Sequence, residues 1–343
     1  MSIAILSHRN FPSTPGGAEL QLYLIAKELY DISQCKIHWY SNDKQVLSDE
    51  ILYHDCSDIS WIGILRELKS NNVKKIIFRT NHSNNIKIWI AGLLSGSKII
   101  YMFASDGHTD FWYNTVKSRN LKSIFSNLIT DIIHRIIISR ASLLSAQNVN
   151  QWMKLSKFRP KLKLVPNAIY YQKRRIQKSS KTQICWIGSI KIQKQPGIFF
   201  NLATRLTDLE FVMAGRNAEF TLPLNLSNFT YLGELTLDGV YNLLAESHIL
   251  INTSENGIEG FPNVFLQAWQ MGCFVISLNT NPNGILNNKL GLHCNGDVVL
   301  LEENLLQLAS NMQSIKPNEI IETFNQKFSN NDLIDFAQEL WHL

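Results

Sequence analysis

Short apolar runs alternate along this chain with longer segments whose apolar residues recur every three or four positions. The runs occupy residues 3–6, 37–40, 75–78, 99–102, 162–165, 184–187, 209–214, 229–232, 248–251 and 274–278. Apolar runs of this length are typical of parallel strands covered on both faces, and the longer periodicity between them predicts helices. The alternation therefore predicts an α/β protein built on doubly wound parallel sheets.

The stretch 253–272, TSENGIEGFPNVFLQAWQMG, follows one of these runs and predicts a buried helix. Pro262 is expected at the first helical position, where its fixed φ and missing N–H do no harm. Gly272 is expected to end the helix in a left-handed conformation. Between the two, most residues are apolar on nearly every side, as in a helix enclosed by its own domain.

Three polar residues interrupt this helix. Asn263, Gln267 and Gln270 are spaced i, i+4, i+7, which places them on one face. The start of the helix favours an anion, because its N–H groups and dipole are positive there. Glu259 does not suit an anion, so we expect it to accept hydrogen bonds from hydroxyls. A ligand with both hydroxyls and phosphate is a nucleotide sugar.

The run Glu259-Gly260-Phe261-Pro262, followed by Gln267, resembles the signature of retaining glycosyltransferases of the family 4 type. These enzymes have the two-domain GT-B fold, and their pattern ends in a second Glu where this chain has Gln267. The resemblance implies that Glu259 binds donor sugar hydroxyls and that Gln267 binds the ribose. We interpret Gln267 as a change that modifies ribose binding without abolishing activity, since an amide can still pair with the ribose diol.

The run 188–196 carries a second part of the resemblance. Family members have Gly-Arg-Leu and, three residues on, a Lys, and this Arg and Lys bind the donor diphosphate. Gly188 and Lys194 match, whereas Ser189 stands in the place of the Arg. Lys191 or Arg9 is the candidate substitute for the missing cation.

Two features of the first half resemble the family more loosely. Gly16, Gly17 and Glu19 match a Gly-Gly-x-Glu that opens the first helix, where backbone amides can approach phosphate. After the run 99–102, His108 or Asp106 stands where family members often place a His near the transferred sugar. An ordinary tight turn and a structural loop histidine are the competing interpretations.

Predicted strands and helices alternate in both halves of the chain. This alternation predicts two Rossmann-like domains facing across a cleft, as in GT-B enzymes. The expected acceptor-binding domain is 1–168, and a polar linker, 169–183, leads to the nucleotide-sugar domain at 184–325. A C-terminal helix, 326–343, is expected to cross back to the first domain.

The composition of the 343 residues fits two globular cores, with 45% hydrophobic and 18% charged residues. A net charge of +5 suits phosphates or an anionic membrane surface. The five scattered cysteines predict no disulfide framework, and the opening strand pattern is unlike a signal peptide, so a cytoplasmic location is expected. The basic, amphipathic segment 112–140 predicts either a peripheral contact with anionic lipid or a helix packed on its own domain.

The sequence thus predicts a retaining, metal-independent glycosyltransferase that needs no cofactor and does not bind nucleic acid. It would move a sugar from a nucleotide-diphosphate donor to a glycan or lipid-linked acceptor in surface polysaccharide assembly. A non-catalytic GT-B partner subunit and a nucleotide-sugar epimerase are the alternatives. The predicted catalytic residues are Glu259, Lys194 and His108, and the predicted donor-binding residues are Gly16, Gly17, Ser189, Lys194, Arg216, Glu259, Gly260, Phe261, Pro262, Asn263 and Gln267.

Overall fold

The computed structural model divides the chain into two compact units, Met1–Ala168 with Asn330–Leu343, and Ile169–Ser329. It describes residues 2–11, 16–43, 48–79, 85–116, 118, 120–157, 161–217, 220, 226–287, 289–311 and 315–343. Lys117 and Arg119, which belong to the basic segment 112–140, lie outside these ranges.

The first unit is a parallel sheet with helices packed against it, as the pattern of apolar runs predicts. Its strands are β1 (Ser2–Leu6), β2 (Ile37–Ser41), β3 (Ile51–Asp55), β4 (Val73–Phe78), β5 (Lys98–Met102), β6 (Ala141–Ala146) and β7 (Lys161–Leu164). Its helices are α1 (Gly17–Ser33), α2 (Trp61–Ser70), α3 (Ile86–Leu94), α4 (Tyr113–Val116), α5 (Leu121–Arg140), α6 (Val149–Leu155) and the C-terminal α12 (Asn331–His342).

The strand order in this sheet is β3-β2-β1-β4-β5-β6-β7, and every described pair is parallel. The chain reverses its direction of winding between β1 and β4, as in dinucleotide-binding folds. Large side chains such as Tyr40, Phe78 and Trp89 are fully buried against the sheet. The periodicity along the chain missed β3 and β6, whose residues include His, Asp and Ser.

The C-terminal helix α12 is held in the first unit by Lys75 of β4. The ammonium of Lys75 donates to the carbonyls of Leu340 at 2.7 Å and Trp341 at 2.6 Å. A cation at the C-terminal end of a helix satisfies otherwise unpaired carbonyls and stabilises the helix dipole. Residues 326–329, which we placed with this helix, belong to the second unit.

The second unit has a similar parallel sheet. Its strands are β8 (Gln183–Ile187), β9 (Glu210–Ala214), β10 (Phe229–Tyr231), β11 (Ile249–Asn252), β12 (Phe274–Ser277) and β13 (Gly291–His293). Its helices are α7 (Pro196–Arg205), α8 (Leu237–Glu246), α9 (Asn263–Gln270), α10 (Val298–Ser310) and α11 (Pro317–Lys327).

The strand order is β10-β9-β8-β11-β12-β13, so winding reverses between β8 and β11. Cys185 and Cys273 are fully buried, as the apolar runs around them predict. The two sheets confirm the prediction of two Rossmann-like domains.

The polar segment 169–182 forms no helix or strand and is bound to the second unit along its length. The hydroxyl of Tyr241 donates to the carbonyl of Tyr170 at 2.6 Å. The ammonium of Lys178 donates to three carbonyls, including Ser247 at 2.6 Å and Met271 at 2.8 Å. The segment is therefore an ordered part of this unit's surface.

Candidate functional site

The predicted donor residues of the second unit follow β8 and β11, the two strands at which winding reverses, except Arg216, which follows β9. Ligands of such sheets bind beyond the carboxyl ends of these strands, because the connections diverge to opposite faces and leave a crevice. The chain after β8 leads through a short 3₁₀ turn, Ile192–Lys194, into α7. The chain after β11 leads through Glu259 into α9.

Backbone and hydroxyl hydrogen bonds join these two connections. The Thr253 hydroxyl donates to the carbonyl of Lys194 at 2.6 Å, and the Glu255 N–H donates to the carbonyl of Gln193 at 2.9 Å. Trp186 at the end of β8 donates its indole N–H to Thr253 at 2.9 Å. Thr253 is completely buried, so the position of Lys194 is determined by the core.

The side chains of Lys194 and Glu259 form an ion pair between Nζ and Oε1. Ser254 donates its hydroxyl to the same carboxylate oxygen at 2.8 Å. The pair is mostly enclosed, with 22% of the Lys194 side chain and 13% of the Glu259 side chain exposed. The structure thus brings together the two residues that we predicted to contact different parts of one donor.

Burial and the nearby charge of Lys191 lower the pKa of Lys194 to about 8. The contact with the Glu259 carboxylate favours the protonated amine, as any opposite charge does. At neutral pH the lysine therefore carries its proton. It has lost much of its hydration, and a new anion would interact strongly with it.

Small polar residues support this pair, and the sequence interpretation missed them. Asn252 donates its amide to the Ser254 hydroxyl at 3.3 Å and accepts from Ser277 at 3.3 Å. The amide of Asn279 donates to the carbonyl of Ser254 at 2.9 Å. Thr and Ser directly after a buried strand were the available signal, since buried hydroxyls need partners.

The connections after β8 and β9 approach each other closely at two glycines. A Cβ on Gly215, whose φ is +146°, would lie 1.7 Å from the carbonyl oxygen of Gly188. Only glycine fits there. Beyond this contact Ile190 donates its N–H to the carbonyl of Arg216 at 2.9 Å. The side chains of Ser189 and Arg216 are both exposed.

Helix α9 begins one residue later than predicted, because Pro262 is its N-cap, with extended ψ, and Asn263 is its first residue. The expected left-handed residue is present, since Gly272 has φ +64°. A Cβ there would lie 2.9 Å from the carbonyl oxygen of Pro317, so the glycine also allows α11 to approach. Phe261 is buried with its ring 6.0 Å from that of Phe328, and Gly260 is buried beside it.

The three amides on one face of α9 have different surroundings. Gln270 accepts from the N–H of Gln172 at 2.7 Å, so it fixes the preceding polar segment. Asn263 is half-buried at the helix start. Gln267 is 9% exposed, and within the described ranges its side-chain amide has no hydrogen-bonding partner. Of the three, Gln267 has the amide that is available to a ligand.

In the first unit, Gly16 is the N-cap of α1 and Gly17 its first residue. The carboxylate of Glu19 folds back over them, and a Cβ on Gly16 would lie 2.1 Å from Glu19 Oε2. Burial raises the pKa of Glu19, an effect that its hydrogen bond to its own N–H opposes. The carboxylate thus lies beside Gly16, one of the two glycines whose amides we expected to hold phosphate.

His108 lies in a short 3₁₀ turn, Gly107–Thr109, after β5. Its ring is half-buried between the rings of Tyr113, 5.7 Å away, and His134, 6.2 Å away. Asp106, the alternative candidate, accepts hydrogen bonds from the amides of Asn148 and Gln151, each at 2.9 Å. Both candidates therefore also have structural contacts.

Within the described ranges, no cluster of three or more His, Cys, Asp or Glu residues is arranged to hold a metal ion.

A family model described as "Glycosyl transferases group 1" matches residues 181–311. No curated protein matches the chain closely enough to count as a relative.

Solved structures with a similar fold include sucrose-phosphate synthase from Thermosynechococcus elongatus. It has 12% identity and a TM-score of 0.78, and the match covers 100% of this chain and 98% of that one. The pneumococcal O-GlcNAc transferase GtfA, in complex with UDP and GlcNAc, has 11% identity and a TM-score of 0.59, over 82% and 60% of the chains. A Listeria monocytogenes protein assigned as a UDP-N-acetylglucosamine 2-epimerase has 13% identity and a TM-score of 0.58, over 99% and 94%.

At these identities the similarity to solved structures establishes the fold. The two sheets and the similar solved structures show a GT-B fold, and residues 181–311 match the family model.

Proposed function

We propose that this protein is a retaining glycosyltransferase that uses a nucleotide-diphosphate sugar as donor and a glycan or lipid-linked molecule as acceptor. The observation that carries the proposal is the enclosed pair of Lys194 and Glu259 beyond β8 and β11. An ammonium suits a diphosphate and a carboxylate suits sugar hydroxyls, so one donor satisfies both. That a neighbour binds UDP and GlcNAc supports the same class of ligand.

The donor would rearrange this pair. Its diphosphate takes the ammonium of Lys194, and Glu259, still held by Ser254, accepts from a sugar hydroxyl. Gln267 pairs with the ribose diol through its available amide. Lys194 and Glu259 each exchange one partner for another, so no buried charge is left unpaired during binding.

In the reaction, an acceptor hydroxyl oxygen forms a bond to the anomeric carbon while the bond from that carbon to the diphosphate oxygen breaks. The acceptor proton passes to the departing diphosphate, on the face from which it leaves, so configuration is retained. Negative charge grows on the leaving oxygen, and the Lys194 ammonium stabilises it without reorganising. Metal-independent transfer is part of this proposal, because the lysine supplies the required positive charge.

An epimerase is the second candidate, since one similar fold is assigned to that activity. Such enzymes generally carry a carboxylate and histidine set for proton abstraction. Here Asp106 is bound by two amides and His108 packs against Tyr113 and His134. These contacts favour transfer over proton abstraction.

Calorimetric titration with nucleoside diphosphates, followed by anomeric NMR of the product formed from the donor that binds, tests the proposal. We expect one diphosphate to bind and its sugar to be transferred with retention in the presence of a chelator. A product with inverted anomeric configuration would overturn retention. Activity that is lost on chelation and restored by magnesium would overturn metal independence. Binding of a donor without turnover would favour the non-catalytic partner subunit.

A further inference from the structure

Helix α5 exposes an apolar stripe to solvent. Leu121, Phe125, Leu128, Ile132 and Ile136 are spaced i, i+4, i+7, i+11 and i+15, which places them on one face. Leu121 is 85% exposed, Phe125 68%, Ile132 42% and Ile136 39%. The helix also packs on its own domain, with Ile137 and Ile138 buried, and the stripe is the part of its surface that this packing leaves uncovered.

The inward face of α5 contains polar residues. Thr130, Asp131 and His134 are buried there. Asp131 accepts from the amide of Asn114 at 2.8 Å and from the N–H of Thr115 at 2.9 Å, so its carboxylate holds α4 against α5. Because these contacts fix the rotation of the helix, the apolar stripe faces solvent as a result of the folded structure.

Helix α4 and the residue before it extend the apolar surface. Val116 is 80% exposed and Trp112 is 43% exposed. The guanidinium of Arg135 lies over the ring of Phe111 at 4.4 Å and over that of Trp112 at 4.7 Å. Arg135 thereby orients both aromatic rings.

The exposed charges of α5 itself are basic. Lys122 and Arg140 are exposed, and Arg135 is half-buried. Asp131 is the single acidic residue of α5, and it is buried under the hydrogen bonds described above. Exposed apolar residues between basic ones are the arrangement that anionic lipid surfaces bind.

We propose that this α4–α5 face, formed by Trp112, Val116, Leu121, Phe125, Ile132 and Ile136, docks on a bilayer containing anionic lipid. The helix lies in the plane of the interface, its apolar stripe enters the acyl boundary, and its basic residues contact the headgroups. Among the described helices, none has the length and apolarity to cross a membrane. The inference stands independently of the proposed transfer, although it would bring the protein to lipid-linked acceptors.

Co-sedimentation of the full chain with two kinds of vesicle tests this inference. We expect binding to phosphatidylcholine vesicles that contain phosphatidylglycerol and much weaker binding to phosphatidylcholine alone, with a steep decrease in added salt. The double variant Leu121→Ser/Phe125→Ser should bind at least about tenfold more weakly, because two exposed apolar side chains no longer enter the interface. The matched control is Val299→Ser, which removes an apolar side chain that is 64% exposed on α10 of the second unit.

The melting temperature and the nucleoside diphosphate affinity of each variant establish that it is folded. Equal sedimentation of the parent and the double variant would overturn the inference, as would a parent that binds neither kind of vesicle. A parent that is a dimer in solution and becomes a monomer in the double variant would assign the face to a second copy of the chain. Vesicle binding by a parent that binds no nucleoside diphosphate would leave this inference intact and contradict only the proposed transfer.

Discussion

The ammonium of Lys194 and the carboxylate of Glu259 are paired beyond adjacent strands of the second unit. Each of the two residues also has a hydrogen bond outside this contact. Ser254 donates to the carboxylate, and Thr253 donates to the carbonyl of Lys194. The pair is therefore preorganised by buried residues.

The lowered pKa of Lys194 predicts a pH-dependent affinity for nucleoside diphosphate. Burial brings this pKa to about 8, so the amine begins to lose its proton above that pH. A bound diphosphate favours the proton, and affinity should fall by up to about tenfold per pH unit above about pH 8. Lys194→Arg should remove this dependence, since Arg keeps its charge.

Calorimetry across this pH range measures the effect. Lys194→Ala should weaken nucleoside diphosphate far more than nucleoside. Identical pH dependence in the parent and Lys194→Arg would show that the lysine does not contact the phosphates.

Replacement of Glu259 should impair transfer more than binding. Loss of a charged acceptor from a sugar hydroxyl costs about 1.5–3 kcal/mol, so Glu259→Ala should transfer at least about tenfold more slowly. The free diphosphate should bind almost normally, because Lys194 remains. Glu255→Ala, in the same connection, is the control and should retain activity. If diphosphate affinity falls as much as the transfer rate, Glu259 does not act on the sugar.

Gln267 is predicted to bind the ribose through its available amide. Gln267→Leu should cost about 1–3 kcal/mol of donor affinity by leaving a ribose hydroxyl without a partner. Gln267→Glu should stay within about tenfold of the parent, since a carboxylate also accepts from the diol. Titration of all three proteins with their nucleoside diphosphate measures this. Parent-like affinity in the Leu variant would remove Gln267 from the site and strengthen the non-catalytic alternative.

The first unit should lose stability in mild acid through His54. The Nε2 atom of His54 is hydrogen-bonded to the Nδ1 atom of His38 at 3.0 Å, and its Nδ1 atom lies 3.6 Å from Oε2 of Glu67. Burial and the His38 ring lower the pKa of His54 from 6.5 to about 4, while burial lowers the pKa of His38 and raises that of Glu67. The unfolded chain therefore binds protons first, and stability is lost as the pH falls from 6.5 towards 4.

At about pH 5 the His54 contribution should amount to about 1–2 kcal/mol. His54→Gln keeps a polar side chain that does not titrate. Denaturant unfolding of both proteins at several pH values should therefore show a weaker acid dependence in the variant. If the free energy of unfolding falls equally with pH in both proteins, His54 is not the source of the acid sensitivity.

The sequence predicted most of the second unit because its helix-end residues and its apolar runs indicate the same elements. Pro262 and Gly272 bracket α9 to within one residue, and apolar runs identify β8, β11 and β12. The signature also named Lys194 and Glu259, which the structure pairs. The match to the family model covers this same region.

Contacts between distant residues could not be predicted in this way. The ion pair of Lys194 with Glu259 depends on the adjacency of β8 and β11, which strand patterns leave undetermined. The Glu19 carboxylate covers Gly16, a side-chain conformation that no spacing rule encodes. Which face of α5 is exposed depends on the hydrogen bonds of Asp131 with Asn114 and Thr115. The composition of the segment was consistent both with contact to anionic lipid and with packing of the helix on its own domain.

The most direct test of the central claim is release of nucleoside diphosphate from a panel of nucleotide-diphosphate sugars, with a chelator present, by the parent and Glu259→Ala. We expect release from one donor by the parent and at least about tenfold slower release by the variant, with both proteins binding the free diphosphate. Equal release by the two proteins, or binding of the diphosphate without release from any donor by the parent, would contradict it.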